Sequence, residues 1–103
     1  MVKKVIEDLI NQKEKLYEEI SFLERKLVDA NANVKYDTAE YWLGTDWAKV
    51  IEGKATEKIK KAYVDAQIRP LKDKVENLTN EINSLWREVD IINDKIAYGV
   101  YDD

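Results

Sequence analysis

The side chains with the widest chemical reach in this sequence are carboxylates and ammonium groups. Asp and Glu number 21 and Lys and Arg 17. Acid–base or metal chemistry would have to be built from them. Their spacing argues against it: Glu14 stands between Lys13 and Lys15, and Glu57 precedes Lys58, Lys60 and Lys61. Mixed charges at these spacings pair along a helix and stay solvated. No His is present, which removes the commonest general base and the Glu-x-x-His pairs of di-metal helical bundles. No Cys is present either, so disulfides and thiolate metal sites are excluded. No Gly-rich phosphate loop occurs, and the few serines sit in helical context. The sequence predicts no catalytic residue, no metal and no cofactor. The expected activity is recognition.

The elements that would carry recognition are long helices. With 37% charged and 45% apolar residues, one Pro and three Gly in 103 residues, the composition is that of helices rather than of a sheet or a disordered tail. The length suits one domain, 1–103. Val2, Ile6, Leu9, Lys13, Leu16, Ile20, Leu23, Leu27, Ala30 and Val34 alternate steps of four and three. That stripe stays on one helix face and forms a coiled-coil-like seam. Lys13 is its one charged member, placed to fix register or to snorkel to solvent. Val5, Ile10 and Tyr17 widen the stripe, while Phe22 and Val28 lie off it.

Gly44 is the expected stop, at the left-handed position that follows a helix. Thr45 and Asp46 then offer the oxygen acceptor of a new helix start. The first helix is expected over about 2–41, the turn over 42–46, the second helix over about 46–98 and a short acidic tail over 99–103. After the turn, Trp47, Ile51, Ala55, Ile59, Ala62 and Ala66 step by three and four, and Ala48, Gly53 and the alanines of this seam are small enough for another backbone to approach closely. A strict heptad runs from Leu71 through Val75, Leu78, Ile82, Leu85, Val89 and Ile92 to Ile96. Pro70 disfavours helical backbone at Arg69, so the second helix either kinks or divides there.

A bend at Gly44 makes residues equidistant from it face each other. Leu27 then lies near Ile59, Ile20 near Ala66 or Ile68, and Ile6 near Asn80 or Ile82. Pairing runs out near Asn83 to Leu85, which leaves Trp86, Val89, Ile92 and Ile96 without an intramolecular partner. Apolar surface beyond what one chain buries marks an interface. The expected architecture is all-α: two antiparallel helices in a hairpin, pairing into a four-helix bundle. Leu85, Trp86, Val89, Ile92, Ile96, Ile6, Ile10 and Tyr17 are its expected interface. The alternative is a monomeric three-helix bundle with helices at about 2–31, 35–68 and 71–98.

Charge and hydropathy narrow the partners. A net charge of −4 disfavours nucleic acid, whose phosphates need a basic face. Glu7 and Asp8 interrupt the apolar start, so it is no secretory h-region. No run approaches the length of a membrane span, and no membrane insertion is expected.

Around the bend the sequence reads Tyr41-Trp42-Leu43-Gly44-Thr45-Asp46-Trp47. Trp42-x-Gly44 near the middle of a chain this long resembles the WxG family of small helical hairpins exported by type VII (ESX) secretion systems. From Ala39 to Ile96 the chain looks most like the small partners encoded beside LXG toxins in Gram-positive bacteria. Tyr98-Gly-Val-Tyr-Asp102 matches the family's Tyr-x-x-x-Asp/Glu export signal in sequence and in place. The resemblance implies a homodimer or heterodimer with another small helical protein, or binding to the helical domain of a toxin. It also implies presentation to a secretion ATPase, and release to the outside or the cell surface by a route that reads no signal peptide. Two features depart from the family pattern: Val50 stands where an aromatic residue is frequent, with Trp47 earlier, and Pro70 interrupts the second helix. The rival expectation is a cytoplasmic coiled-coil adaptor or scaffold, from a phage or mobile element.

Overall fold

A computed structural model describes residues 2–99. It contains helix α1 (Val2–Gly44), a single-turn helix α2 (Trp47–Val50) and helix α3 (Glu57–Tyr98). No strand occurs among the described residues, and α1 and α3 pack against each other. The chain falls into two compact units. One joins Met1–Lys26 to Leu78–Asp103, and the other is Leu27–Asn77.

Each unit buries one stripe from each helix. The first unit's core holds Leu9, Ile20 and Leu23 from α1, with Leu78, Ile82, Leu85, Val89 and Ile92 from α3. The second holds Ala30 from α1 with Val64 and Ile68 from α3. Fully burying a branched aliphatic side chain contributes roughly 1.5–3 kcal/mol, so these stripes supply most of the cohesion. No polar or charged residue is buried among those described.

The bend differs from the tight turn expected at 42–46. Gly44 is the last residue of α1 and does not have positive φ; the positive-φ glycines are Gly53 (+83°) and Gly99 (+63°). Helix α1 ends at Gly44, and the hydroxyl of the next residue, Thr45, donates to the Tyr41 carbonyl. Asp46 is extended and makes no side-chain cap. One turn of helix follows, closed by Lys49 and Val50 N–H groups donating to the Asp46 carbonyl. Ile51 is extended again, and Gly53 turns the chain through the left-handed region that suits glycine. Helix α3 then begins at Glu57 rather than at residue 46. Thr56 caps it: its hydroxyl oxygen accepts from the Ile59 N–H at 3.3 Å. At the other end the Gly99 N–H donates to the Lys95 carbonyl at 3.2 Å, and Gly99 itself takes the left-handed conformation that commonly ends a helix.

Two glycine substitutions test this assignment. A Cβ on Gly44 meets no atom within 4 Å, so Gly44→Ala is expected to be neutral or to stabilise by up to about 0.5 kcal/mol. Gly53→Ala is expected to cost about 1 kcal/mol, because an L side chain is strained at that φ. Urea midpoints measure both. A reversed order would return the bend to Gly44.

The longer connection slides the helices. A bend at Gly44 would put Tyr17 across from Leu71, whereas its ring lies 5.9 Å from that of Trp86. Ile20 and Ile68, expected to be near each other, belong to different units.

The three-helix alternative also falls. Helix α1 continues through Asn31-Ala-Asn33, and α3 continues through Pro70. Proline there removes the N–H that would bond the Ala66 carbonyl. Both residues are exposed, so water can serve that carbonyl. The buried positions explain why the helix does not break: Val64 and Ile68 precede Leu71 in unbroken steps of four and three, so one heptad phase spans the proline. Ala62 and Ala66, expected on the seam, are exposed.

Candidate protein-interaction surfaces

At the bend the second unit builds an aromatic cluster. Trp42 comes from the last turn of α1, Trp47 opens α2, and Tyr63 lies in the second turn of α3. The Trp42 and Trp47 ring centroids are 5.9 Å apart at 58°, and those of Trp47 and Tyr63 5.7 Å apart at 81°. Tilted and edge-to-face pairs place ring edges against ring faces. The Lys60 ammonium sits 5.4 Å from the Trp47 centroid, a cation–π contact. All three rings are half-buried. Trp47 thus ties both long helices to the connection, and Gly44 supplies only helical backbone. Beside this cluster Tyr36 and Leu43 stay 70% and 88% exposed, seven residues apart and so on one side of α1.

In the first unit, Tyr17 and Trp86 pack ring against ring at one edge of the seam, yet both remain exposed. Ile10 lies two turns before Tyr17 on the same side of α1 and is also exposed. Lys13, expected to fix register or reach solvent, is half-buried and holds its ammonium 5.7 Å from the Tyr17 centroid. It therefore leaves the seam by lying along an aromatic face. The opposite edge is a groove lined by Gln12, Lys15, Leu16, Glu19, Glu88, Ile91 and Ile92.

These positions divide the expected interface. Leu85, Val89 and Ile92 are buried inside the unit. The expectation that the second seam lacks cover past Leu85 is thereby corrected: the longer bend carries α1 far enough along α3 to cover it. Ile6 and Ile96 are half-buried. Ile10, Tyr17 and Trp86 are the expected interface residues that stay exposed. Tyr98, the last residue of α3, is 82% exposed, and Asp102 lies outside the described residues.

Sequence reasoning missed Tyr63, Lys60, Thr56 and the turn at Gly53. Extending the heptad back from Leu71 to Ile68 and Val64 would have placed the start of α3, and Gly53 ahead of a capping Thr would have marked the connection. Among the described residues no group of His, Cys, Asp or Glu could hold a metal ion. No helix among them is long and apolar enough to cross a membrane.

No protein family, curated protein or solved structure matches the chain.

Proposed function

We propose that this chain is a small type VII secretion substrate or partner of the WxG kind. It binds another helical protein, either a small WxG-like partner or the helical domain of an LXG toxin, and contributes to the export signal of the pair. The reading is supported by what stands at the ends of the two long helices. Trp42-x-Gly44 closes the first long helix at the bend, and Tyr98 closes the second with its ring in solvent, where it heads Tyr98-Gly-Val-Tyr-Asp102. The mechanism is recognition without catalysis. The seams hold the helices together, the exposed edge at Tyr17 and Trp86 receives the second protein, and Tyr98 with Asp102 addresses the complex to the secretion ATPase. On this reading a four-helix bundle would form at that edge, since Leu85, Val89 and Ile92 are already covered.

The test is export from cells that carry such a system, with partner binding measured in parallel. Tyr98→Ala and Asp102→Ala are each expected to reduce export at least about tenfold, about 1.4 kcal/mol of recognition, while binding survives. Unchanged export with binding intact would sink the reading. The exposed edge also serves a second reading, a cytoplasmic adaptor that uses the same residues and is never exported. Fractionation of living cells separates the two.

A further inference from the structure

Resting on the reading of this chain as an interaction protein, we propose that the Ile10–Tyr17–Trp86 edge docks one amphipathic helix of another protein, with an apolar stripe flanked by Lys and Arg. The edge has an apolar centre: Tyr17 against Trp86, both about two-fifths exposed, with Ile10 exposed to the same degree. Helical spacing sets what surrounds it. Glu7 and Glu14 lie three residues before and four after Ile10, and Asp90 lies four after Trp86, all exposed. Glu24, also exposed, continues the line of Tyr17 one heptad on. Lys3, Lys13, Arg25 and Arg87 are the basic groups on this side; Lys13 is turned onto the Tyr17 ring and Arg87 donates to the Ser84 hydroxyl at 3.0 Å, which leaves Lys3 and Arg25 facing the four carboxylates. Carboxylates therefore outnumber free basic groups around the aromatic pair.

The same rim decides against a second copy of this chain. A two-fold pairing through one patch sets each surface against itself. Glu14 and Asp90 would then meet the same like-charged rim across a desolvated aromatic contact. Large rigid side chains at the centre with charge at the rim suit an anchor for a foreign helix, the rim fixing which helix is accepted.

The probes are two synthetic amphipathic helices with the same Leu/Ile stripe, one flanked by Lys and Arg and the other by Glu. Binding to the full chain is read by fluorescence anisotropy. The basic-flanked helix is expected to bind at least about tenfold more tightly at low salt, with the gap narrowing as the ionic strength rises. Trp86→Ala, and separately Ile10→Ser with Tyr17→Ser, are expected to weaken it about tenfold or more while circular dichroism shows the helices retained. Glu14→Lys with Asp90→Lys should abolish the preference. Glu19→Lys with Glu88→Lys, at the opposite edge and with the same change in net charge, should not.

Equal binding of the two helices, no binding of either, or equal effects of the two charge reversals would each overturn the proposal. So would a stable dimer in light scattering that Trp86→Ala converts to monomer, because a second copy would then cover the edge. These outcomes are independent of export. If export depends on Tyr98 and Asp102 but the basic helix does not bind, this inference falls alone. If the basic helix binds but export ignores them, the secretion reading falls and the edge stands.

Discussion

Ile20→Ala is expected to cost about 2–5 kcal/mol of folding stability, and Val89→Ala roughly half as much, while Ile10→Ala costs less than about 1 kcal/mol. Ile20 and Val89 are 2% and 1% exposed, against 42% for Ile10. Truncating a buried branched side chain loses its transfer energy and leaves a cavity that close-packed neighbours fill only in part. A small domain has only about 5–15 kcal/mol in total, so Ile20→Ala removes a large share of it. Urea unfolding at several protein concentrations is the measurement. The Val89→Ala loss should not change with concentration, because α1 of the same chain covers Val89. A loss that grows as the protein is concentrated would mean that Val89 is buried by a second molecule, and would restore the shorter hairpin with its open seam.

That distinction turns on a single misjudged glycine. The apolar periodicity gives the two long helices, their inner faces and the antiparallel arrangement, because steps of three and four admit no other regular structure of that length. Leu9, Ile20 and Leu23, and Leu78 through Ile92, sit inside as their spacing demands. Periodicity does not fix where the chain reverses. Gly44 and Gly53 both follow periodic stretches, and at the level of residue type either can end a helix. Thr45, Asp46 and Trp47 look like a helix start, and one turn of helix does form there. It ends because Ile51 is extended and Gly53 takes a positive φ. Thr56 then supplies the cap that Asp46 does not.

Register magnifies the error. A bend a few residues later in the chain shifts the facing position on α3 by about twice as much, roughly four turns at 3.6 residues per turn. Residues read as an open seam become core, and the site contracts to those whose exposure depends on helix face alone. Ile10, Tyr17 and Trp86 survive because they flank the seam whatever the register. The pairing of Tyr17 with Trp86 was not legible, since it needs the register itself. The aromatic cluster was half legible: Trp42 and Trp47 announce themselves, but Tyr63 joins them only once α3 is known to begin at Glu57.

The cluster also sets the second large effect. Trp47→Ala is expected to cost roughly 2–3 kcal/mol, less than a fully buried Trp because the indole is half-exposed. Two ring pairs go with it, each contributing about 0.5–1.5 kcal/mol beyond burial, together with the Lys60 contact. Its consequence is local. α2 has no buried residue of its own, and a single turn of helix is not stable alone. Without Trp47 the connection loses its attachment to α1 through Trp42 and to α3 through Tyr63. Amide exchange is therefore expected to accelerate from Thr45 to Thr56 and into the first turns of α3, while amides around Ile20 and Val89 keep their protection, as sub-global opening requires. Trp47→Phe should recover most of the loss, because a ring remains between Trp42 and Tyr63. Leu43→Ala, at a site 88% exposed, should change stability by less than about 0.5 kcal/mol. A loss of that small size for Trp47→Ala would mean that the connection is held by backbone geometry at Gly53 and Thr56. The tryptophans of the bend would then be free to serve a partner.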